Sequence, residues 1–214
     1  STLGAEKEVV LDIGANIGAT SIPLAKKHKN IHFHCFEPNP SVYRDLEFNV
    51  SINSLKNLYM NNKAVSNLKK PHIKFYAQTA SPNMGLSSIK LNPDIDEYDK
   101  ILVDNISIDE YTFNLQDRVA VIKIDTQGSE LSVLKSAEKT IIANKPIIFF
   151  EFEDEYFKTS NDKIMNKREL LKFFSNLNYK IYYLSDHQFF PKITFDDYFN
   201  GDIIAVPFVV AWLS

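Results

Sequence analysis

Cysteine is almost missing from this chain, as are tryptophan, long apolar runs and any surplus of positive charge. Cys35 is the single cysteine among 214 residues, so no internal disulfide can form. A reducing, cytoplasmic setting is the natural expectation. Cys35 lies in the apolar stretch 31–36, which suits a buried thiol better than a nucleophile. The formal net charge of -3 offers no basic face for gripping DNA or RNA. Lys26-Lys27 and Lys69-Lys70 read as solvated surface. The longest apolar run, 203–213, contains Pro207 and is too short to span a bilayer. Ser1 to Glu8 is polar and mixed in charge, unlike a signal peptide. The histidines at 28, 32, 34, 72 and 187 are scattered. They offer no metal-ligand spacing, and no metal is expected.

What is present is an alternation of strands and helices. Short apolar runs at 9–13, 31–36, 58–65, 119–124, 146–152, 179–184 and 202–206 read as seven buried strands. Between them, apolar residues recur at helical spacing. Ile17, Ser21, Leu24 and Ala25 mark one helix, with Pro23 imposing a kink or a late start. Asn39-Pro40 supplies an N-cap and a first helical residue, and Val42, Leu46 and Val50 line the helix that follows. Leu131, Leu134, Glu138 and Ile141 mark another. Asn166 with Glu169 resembles a capping box ahead of Leu170, Leu171 and Phe174. Residues 66–105 hold strand-like pieces at 73–76 and 88–91 and an acidic loop at 94–99. They read as a hairpin-like insertion within a single domain spanning 1–214. The pattern predicts an α/β fold: a doubly wound, mostly parallel, seven-stranded sheet with helices on both faces.

In such a sheet, ligands bind beyond the carboxyl ends of the strands. Asp12-Ile13-Gly14-Ala15-Asn16-Ile17-Gly18 follows the first strand. Its glycines permit a sharp turn and close approach of a ligand to free N–H groups. Asn16 and Ala19 stand where the dinucleotide fingerprint needs glycine, so a pyrophosphate fits poorly. Asp12 adds a carboxylate, which suits a ligand carrying an ammonium group. About twenty residues on, Glu37 ends the second strand, where an acidic side chain can accept hydrogen bonds from both hydroxyls of a ribose. Together these motifs describe a site for a nucleoside with an amino-acid-like tail. A structural turn and a surface carboxylate are the plainer readings of each motif alone.

The segment Asp12 to Gly18, with Phe36-Glu37-Pro38-Asn39-Pro40 and Lys123-Ile124-Asp125-Thr126-Gln127-Gly128-Ser129-Glu130, resembles the three successive signatures of the FkbM-like methyltransferases, over roughly residues 8–155. The resemblance implies a class I, Rossmann-like methyltransferase using S-adenosylmethionine. It implies that Gly14, Asn16 and Gly18, with Asp12 nearby, line the methionine part. Glu37 and Pro38 would meet the ribose, the Lys63-Ala64-Val65 segment the adenine, and Asp125 the reacting methyl. Asn83-Met84-Gly85-Leu86-Ser87-Ser88 resembles a segment near the family's active-site mouth. The implied reaction is O-methylation of a sugar, glycan or secondary-metabolite hydroxyl, with no nucleic acid as partner. Gln127 stands where many relatives carry Glu, and relatives usually have a segment upstream of the first strand.

A hydroxyl acceptor must lose its proton as it attacks. Asp125 is the first candidate base and Glu151 the second, since an apolar strand can raise a carboxyl pKa. Asp125 could instead cap a helix starting at Gly128, and Glu151 and Glu153 could be ordinary strand-end carboxylates. Tyr156, Phe157, Phe189 and Phe190 lie near the expected mouth, with core packing the plainer explanation. A nicotinamide-dependent oxidoreductase and a non-catalytic binding module are the competing functions.

Overall fold

The computed structural model describes residues 7–78, 98–153, 159–185, 188–189 and 201–208. The first half runs β1 (Glu8–Ile13), α1 (Ser21–Lys27), β2 (Ile31–Phe36), α2 (Pro40–Ile52), β3 (Leu58–Asn61), β4 (Ala64–Val65), β5 (His72–Gln78) and β6 (Tyr98–Ile106). Then come α3 (Ile108–Thr112), β7 (Arg118–Ile124), α4 (Glu130–Ser136), α5 (Glu138–Asn144) and β8 (Ile147–Phe152). The series closes with α6 (Ser160–Asn176), β9 (Tyr179–Ser185), β10 (Gln188–Phe189) and β11 (Gly201–Pro207).

The main sheet has the order β10-β9-β11-β8-β7-β1-β2-β3. β1 pairs in parallel with both β2 and β7, and the parallel ladder continues to β3 and β8. β11 runs antiparallel to β8 and β9, so the sheet is mixed. The seven expected strands are all in it, extended at one edge by the two-residue β10, which sequence periodicity gives no sign of. The chain winds from β1 to one side through β2 and β3, then returns to the other side through β7. That reversal places a crevice at the carboxyl ends of β1 and β7.

Strand alternation sends Leu11, Ile13, Ile122, Ile124, Ile148 and Phe150 to one face. There they pack against Ile108, Val133, Leu134, Ile141, Leu170 and Phe174 of α3 to α6. Each such fully buried side chain contributes roughly 1.5–3 kcal/mol. On the opposite face, Ile22 and Ala25 of α1 and Leu46 and Val50 of α2 pack on Phe33, Cys35 and Leu58. Cys35 is fully buried, and burial pushes its thiol up to about 12, consistent with an inert core residue.

Several boundaries differ from the sequence reading. The expected third strand, 58–65, divides: β3 stays in the main sheet while β4 leaves to pair with β6 in a second sheet of order β4-β6-β5. β6 and α3 were not anticipated. Of the stretch 94–99 read as an acidic loop, residues 98 and 99 belong to β6 and pair antiparallel with β5, while 94–97 lie outside the described residues. The piece at 88–91 lies outside the described residues. The single helix expected over Leu131 to Ile141 is two, broken at Ala137. Pro23 gives a late start: α1 begins at Ser21, so the missing N–H falls in the first turn, where it needs no partner.

The cap of α6 is also displaced. Asn166 sits inside the helix, donating from Nδ2 to the Asp162 carbonyl, and Glu169 pairs with Lys135 at 2.6 Å. The cap is Thr159, whose hydroxyl accepts from the Asp162 N–H at 3.1 Å. Its hydroxyl also donates to the Asp162 carboxylate, a reciprocal arrangement about two helix turns earlier than expected. Thr159→Ala should therefore cost about 1 kcal/mol. Asn166→Ala should stay within about 0.5 kcal/mol in urea unfolding. The opposite ranking would restore the Asn166 cap.

Candidate functional site

Three strand ends are stitched together at the crevice. The Gly14 and Ala15 N–H groups both donate to the Phe36 carbonyl at 3.0 Å, tying the loop after β1 to β2. The Asp125 N–H donates to the Ile13 carbonyl at 2.9 Å, tying β7 to β1. Gly14 lies so close to β7 that an added Cβ would sit 1.9 Å from the Asp125 carbonyl oxygen, and its φ is +81°. Only glycine satisfies both demands. Gly18, at φ +87°, lets the loop pass between the side chains of Ile22 and Leu46.

These ends frame a cavity of about 130 Å³. Gly14, Asn16, Glu37, Pro38, Ala64 and Asp125 line it, six of the eight residues expected at a cofactor site. Lys63, Val65, Thr126 and Gln127, all within the motif segments, line it too. Phe75, from β5 of the second sheet, adds an apolar wall. Its strand was legible in the sequence, but its place beside Glu37 depends on the crossover of β4. Asp12 and Gly18 do not line this cavity. Gly18 serves the backbone, and Asp12 faces elsewhere.

Glu37 is buried, and its carboxylate is held at both oxygens. The Asn16 N–H donates to Oε2 at 3.1 Å and the Asn39 N–H to Oε1 at 2.8 Å. Asn62 fixes the backbone from behind, donating from Nδ2 to the Glu37 carbonyl at 2.7 Å. Burial pushes the Glu37 carboxyl up to about 7; the two N–H donors oppose that shift, and Asp12 and Asp125 reinforce it. The remaining lone pairs can accept two further hydrogen bonds, as a vicinal diol would supply.

Asp12 is fully buried and already partnered. Its Oδ2 accepts from the Ser21 hydroxyl at 2.6 Å and its Oδ1 from Lys123 Nζ at 3.1 Å. Lys123 also reaches the Asp125 carboxylate at 3.4 Å. Burial alone would lower the Lys123 ammonium, but the two carboxylates hold it above its usual range. Neither Ser21 nor Lys123 stood out in the sequence as a partner of Asp12.

Asp125 does not cap a helix at Gly128. α4 starts at Glu130, and the buried Glu130 carboxylate gathers the loop instead. Its Oε1 accepts from the Thr126 N–H, the Thr126 hydroxyl and the Gly128 N–H at 3.0 to 3.2 Å. The loop so fixed carries Gln127 at φ +52°, and Asn16 across the cavity has the same φ. Non-glycine residues in this region cost of order 1–3 kcal/mol. Both strained residues line the cavity.

Glu151 lies on β8 in register with Asp202 of β11, outside the first cavity. It lines a second cavity, which Asp125 also borders. His32 and His34 are packed: His32 pairs with Asp117 at 3.0 Å, and His34 stacks on Tyr59 and bonds the Tyr111 hydroxyl. Burial lowers His34 to about 4. Asn83, Met84, Gly85, Leu86, Ser87, Ser88, Tyr156, Phe157, His187 and Phe190, and the Phe189 side chain, lie outside the described residues.

The doubly wound sheet, with β11 running antiparallel between β8 and β9, has the architecture of class I methyltransferases. A model of the methyltransferase FkbM domain matches residues 12–181. The chain belongs to the FkbM methyltransferase family. It is similar in fold to the crystal structure of methyltransferase FkbM from Methylobacillus flagellatus KT, with 20% identity and a TM-score of 0.56. That match covers 94% of this chain and 43% of the other, so the chain spans less than half of that relative's length. A putative rRNA-methylase from Clostridium thermocellum is similar at 8% identity and TM-score 0.51, over 94% and 88% of the two chains. No curated protein matches the chain. Among the described residues, no helix is long and apolar enough to cross a membrane.

Carbon NMR of the Glu37 carboxyl should show it titrating near pH 7. Its folded pKa lies above the unfolded value of 4.5, so its contribution to stability is full below about 4.5 and lost as pH rises through about 7. Glu37→Gln should flatten that slope in the free protein, and an unchanged slope would contradict the assignment. Gly14→Ala should lower stability by at least about 2 kcal/mol, through backbone strain and the clash with β7. A thermal midpoint equal to the parent's would show that the strand ends are not so tightly set.

Proposed function

We propose that the chain is an S-adenosylmethionine-dependent O-methyltransferase acting on a hydroxyl of a sugar, glycan or secondary metabolite. The observation that carries this reading is the buried Glu37 carboxylate facing a cavity whose other rim is Asp125. Family membership supplies the methyl-transfer chemistry, and Glu37 supplies a fit to a ribose diol. Gly14 and Asn16 would hold the methionine end, Glu37 and Pro38 the ribose, and Lys63, Ala64, Val65 and Phe75 the adenine. The cofactor supplies an electrophilic methyl group when bound.

The chain's own residues then have three tasks. The glycine loop and the Glu130-braced loop fix the two sides of the cavity, so that acceptor and donor meet aligned. Asp125 accepts the proton that the acceptor hydroxyl loses. Lys123, held between Asp12 and Asp125, orients that carboxylate. Glu151 is the second candidate for the same proton. The single buried cysteine fits a reducing, cytoplasmic setting.

Asp125→Asn tests the assignment. Methyl transfer to a glycan acceptor, followed with isotopically labelled cofactor, should fall by about a hundredfold or more in kcat. Binding of S-adenosylhomocysteine should persist. Undiminished turnover in this variant would move the base to Glu151 or remove the need for one.

A further inference from the structure

Glu37 stands at the end of β2 in the cavity wall and is 7% exposed. An ionised carboxylate offers about four lone-pair sites, two on each oxygen. The Asn16 N–H takes one on Oε2, and the Asn39 N–H takes one on Oε1. One site on each oxygen is left for whatever enters the cavity. In the acid form a proton fills one of these. A vicinal diol donates to both, and then no site remains for the proton.

Burial is the largest force holding the acid form in the free protein. Asp12 on β1 and Asp125 after β7 add to it, since a further carboxylate charge beside them is disfavoured. Lys123 on β7 is engaged by both of those carboxylates. Lys63, between β3 and β4, also borders the cavity. On α2 the first turn carries no acidic residue. The second sheet presents Ala64, Val65 and Phe75 there, none of them charged. The Glu130 carboxylate is turned toward the Thr126 and Gly128 N–H groups of its own loop. The Asn16 and Asn39 N–H groups favour the ionised form, yet the carboxyl still stands at about 7. Acid and carboxylate therefore coexist near neutral pH when the cavity is empty.

We propose that a ligand carrying a vicinal diol enters this cavity with release of one proton from Glu37 to solvent, so that occupancy is coupled to pH. That the ligand is S-adenosylmethionine rests on the reading above, whereas the coupling rests on the two open lone-pair sites. The diol is neutral, so the bound carboxylate keeps its charge, held by four donors in place of two. Those donors stabilise the ionised form and lower its proton affinity. Only the carboxylate is competent to bind, so apparent affinity follows the ionised fraction. It is level above about pH 7 and falls about tenfold for each pH unit below.

Calorimetry with S-adenosylhomocysteine, in paired buffers of low and high ionisation enthalpy, counts the proton. Release should be about one proton per ligand at pH 6 and almost none at pH 8.5. The dissociation constant should be about tenfold larger at pH 6 than at pH 8. Carbon NMR at pH 6 should show the Glu37 carboxyl moving to its ionised position as ligand is added. Glu37→Gln should bind more weakly and lose both the release and the pH dependence. Where that variant binds too weakly to measure, the carboxyl signal of the parent protein decides. Binding at pH 6 without proton release would overturn the coupling and leave the cofactor reading intact. So would release that persists in Glu37→Gln. No binding at pH 8.5, where the carboxylate is fully formed, would instead contradict the cofactor reading. Adenosine, a second vicinal diol, would then serve as the probe, and a Glu37 carboxyl that stays protonated as adenosine binds at pH 6 would overturn the coupling as well.

Discussion

The structure depends on how closely β1, β2 and β7 are drawn together at their carboxyl ends. Gly14 is the contact point: two N–H groups of its loop reach β2, and its bare Cα lies against the β7 backbone. This closeness brings Glu37, from the end of β2, across from Asp125, from the end of β7. A larger residue at 14 would part the strands and separate the two carboxylates. The hydrophobic core on either side of the sheet sets the fold, but this junction sets the site.

Buried charge at the junction is handled in two ways. Asp12 is fully buried yet satisfied by Lys123 and Ser21, so it acts as a brace beneath the site. Removing Lys123 alone would strand a buried carboxylate, a costly change. Among the described residues two N–H groups donate to Glu37, whose carboxyl pKa is raised, a local loss of stability retained in a cavity wall. Strain at Asn16 and Gln127 has the same location. Costs of this kind concentrate where a ligand can repay them.

Much of this was legible in the residues. Buried apolar runs marked every strand of the main sheet but β10, and Asn39-Pro40 marked the start of α2, where the Asn39 side chain does accept from the Ser41 N–H. The place of Gly14, Asn16 and Glu37 at a cavity was legible because each follows the end of a strand. What stayed hidden depends on long-range contacts. Nothing local tells that 58–65 divides between two sheets, or that Phe75 meets the cavity. Asp12 read as a ligand contact because its partner Lys123 lies far along the chain. Asp125 read as a possible cap because the true anchor, Glu130, lies just inside the helix rather than before it. Asn166 matched a capping pattern that Thr159 and Asp162 actually supply.

Occupation of the Glu37–Asp125 cavity by S-adenosylmethionine, as proposed, can be checked by calorimetric titration of the protein with S-adenosylhomocysteine, beside a titration with NAD. Micromolar binding of the first and none of the second is expected. Absence of S-adenosylhomocysteine binding, or binding of NAD in its place, would contradict it.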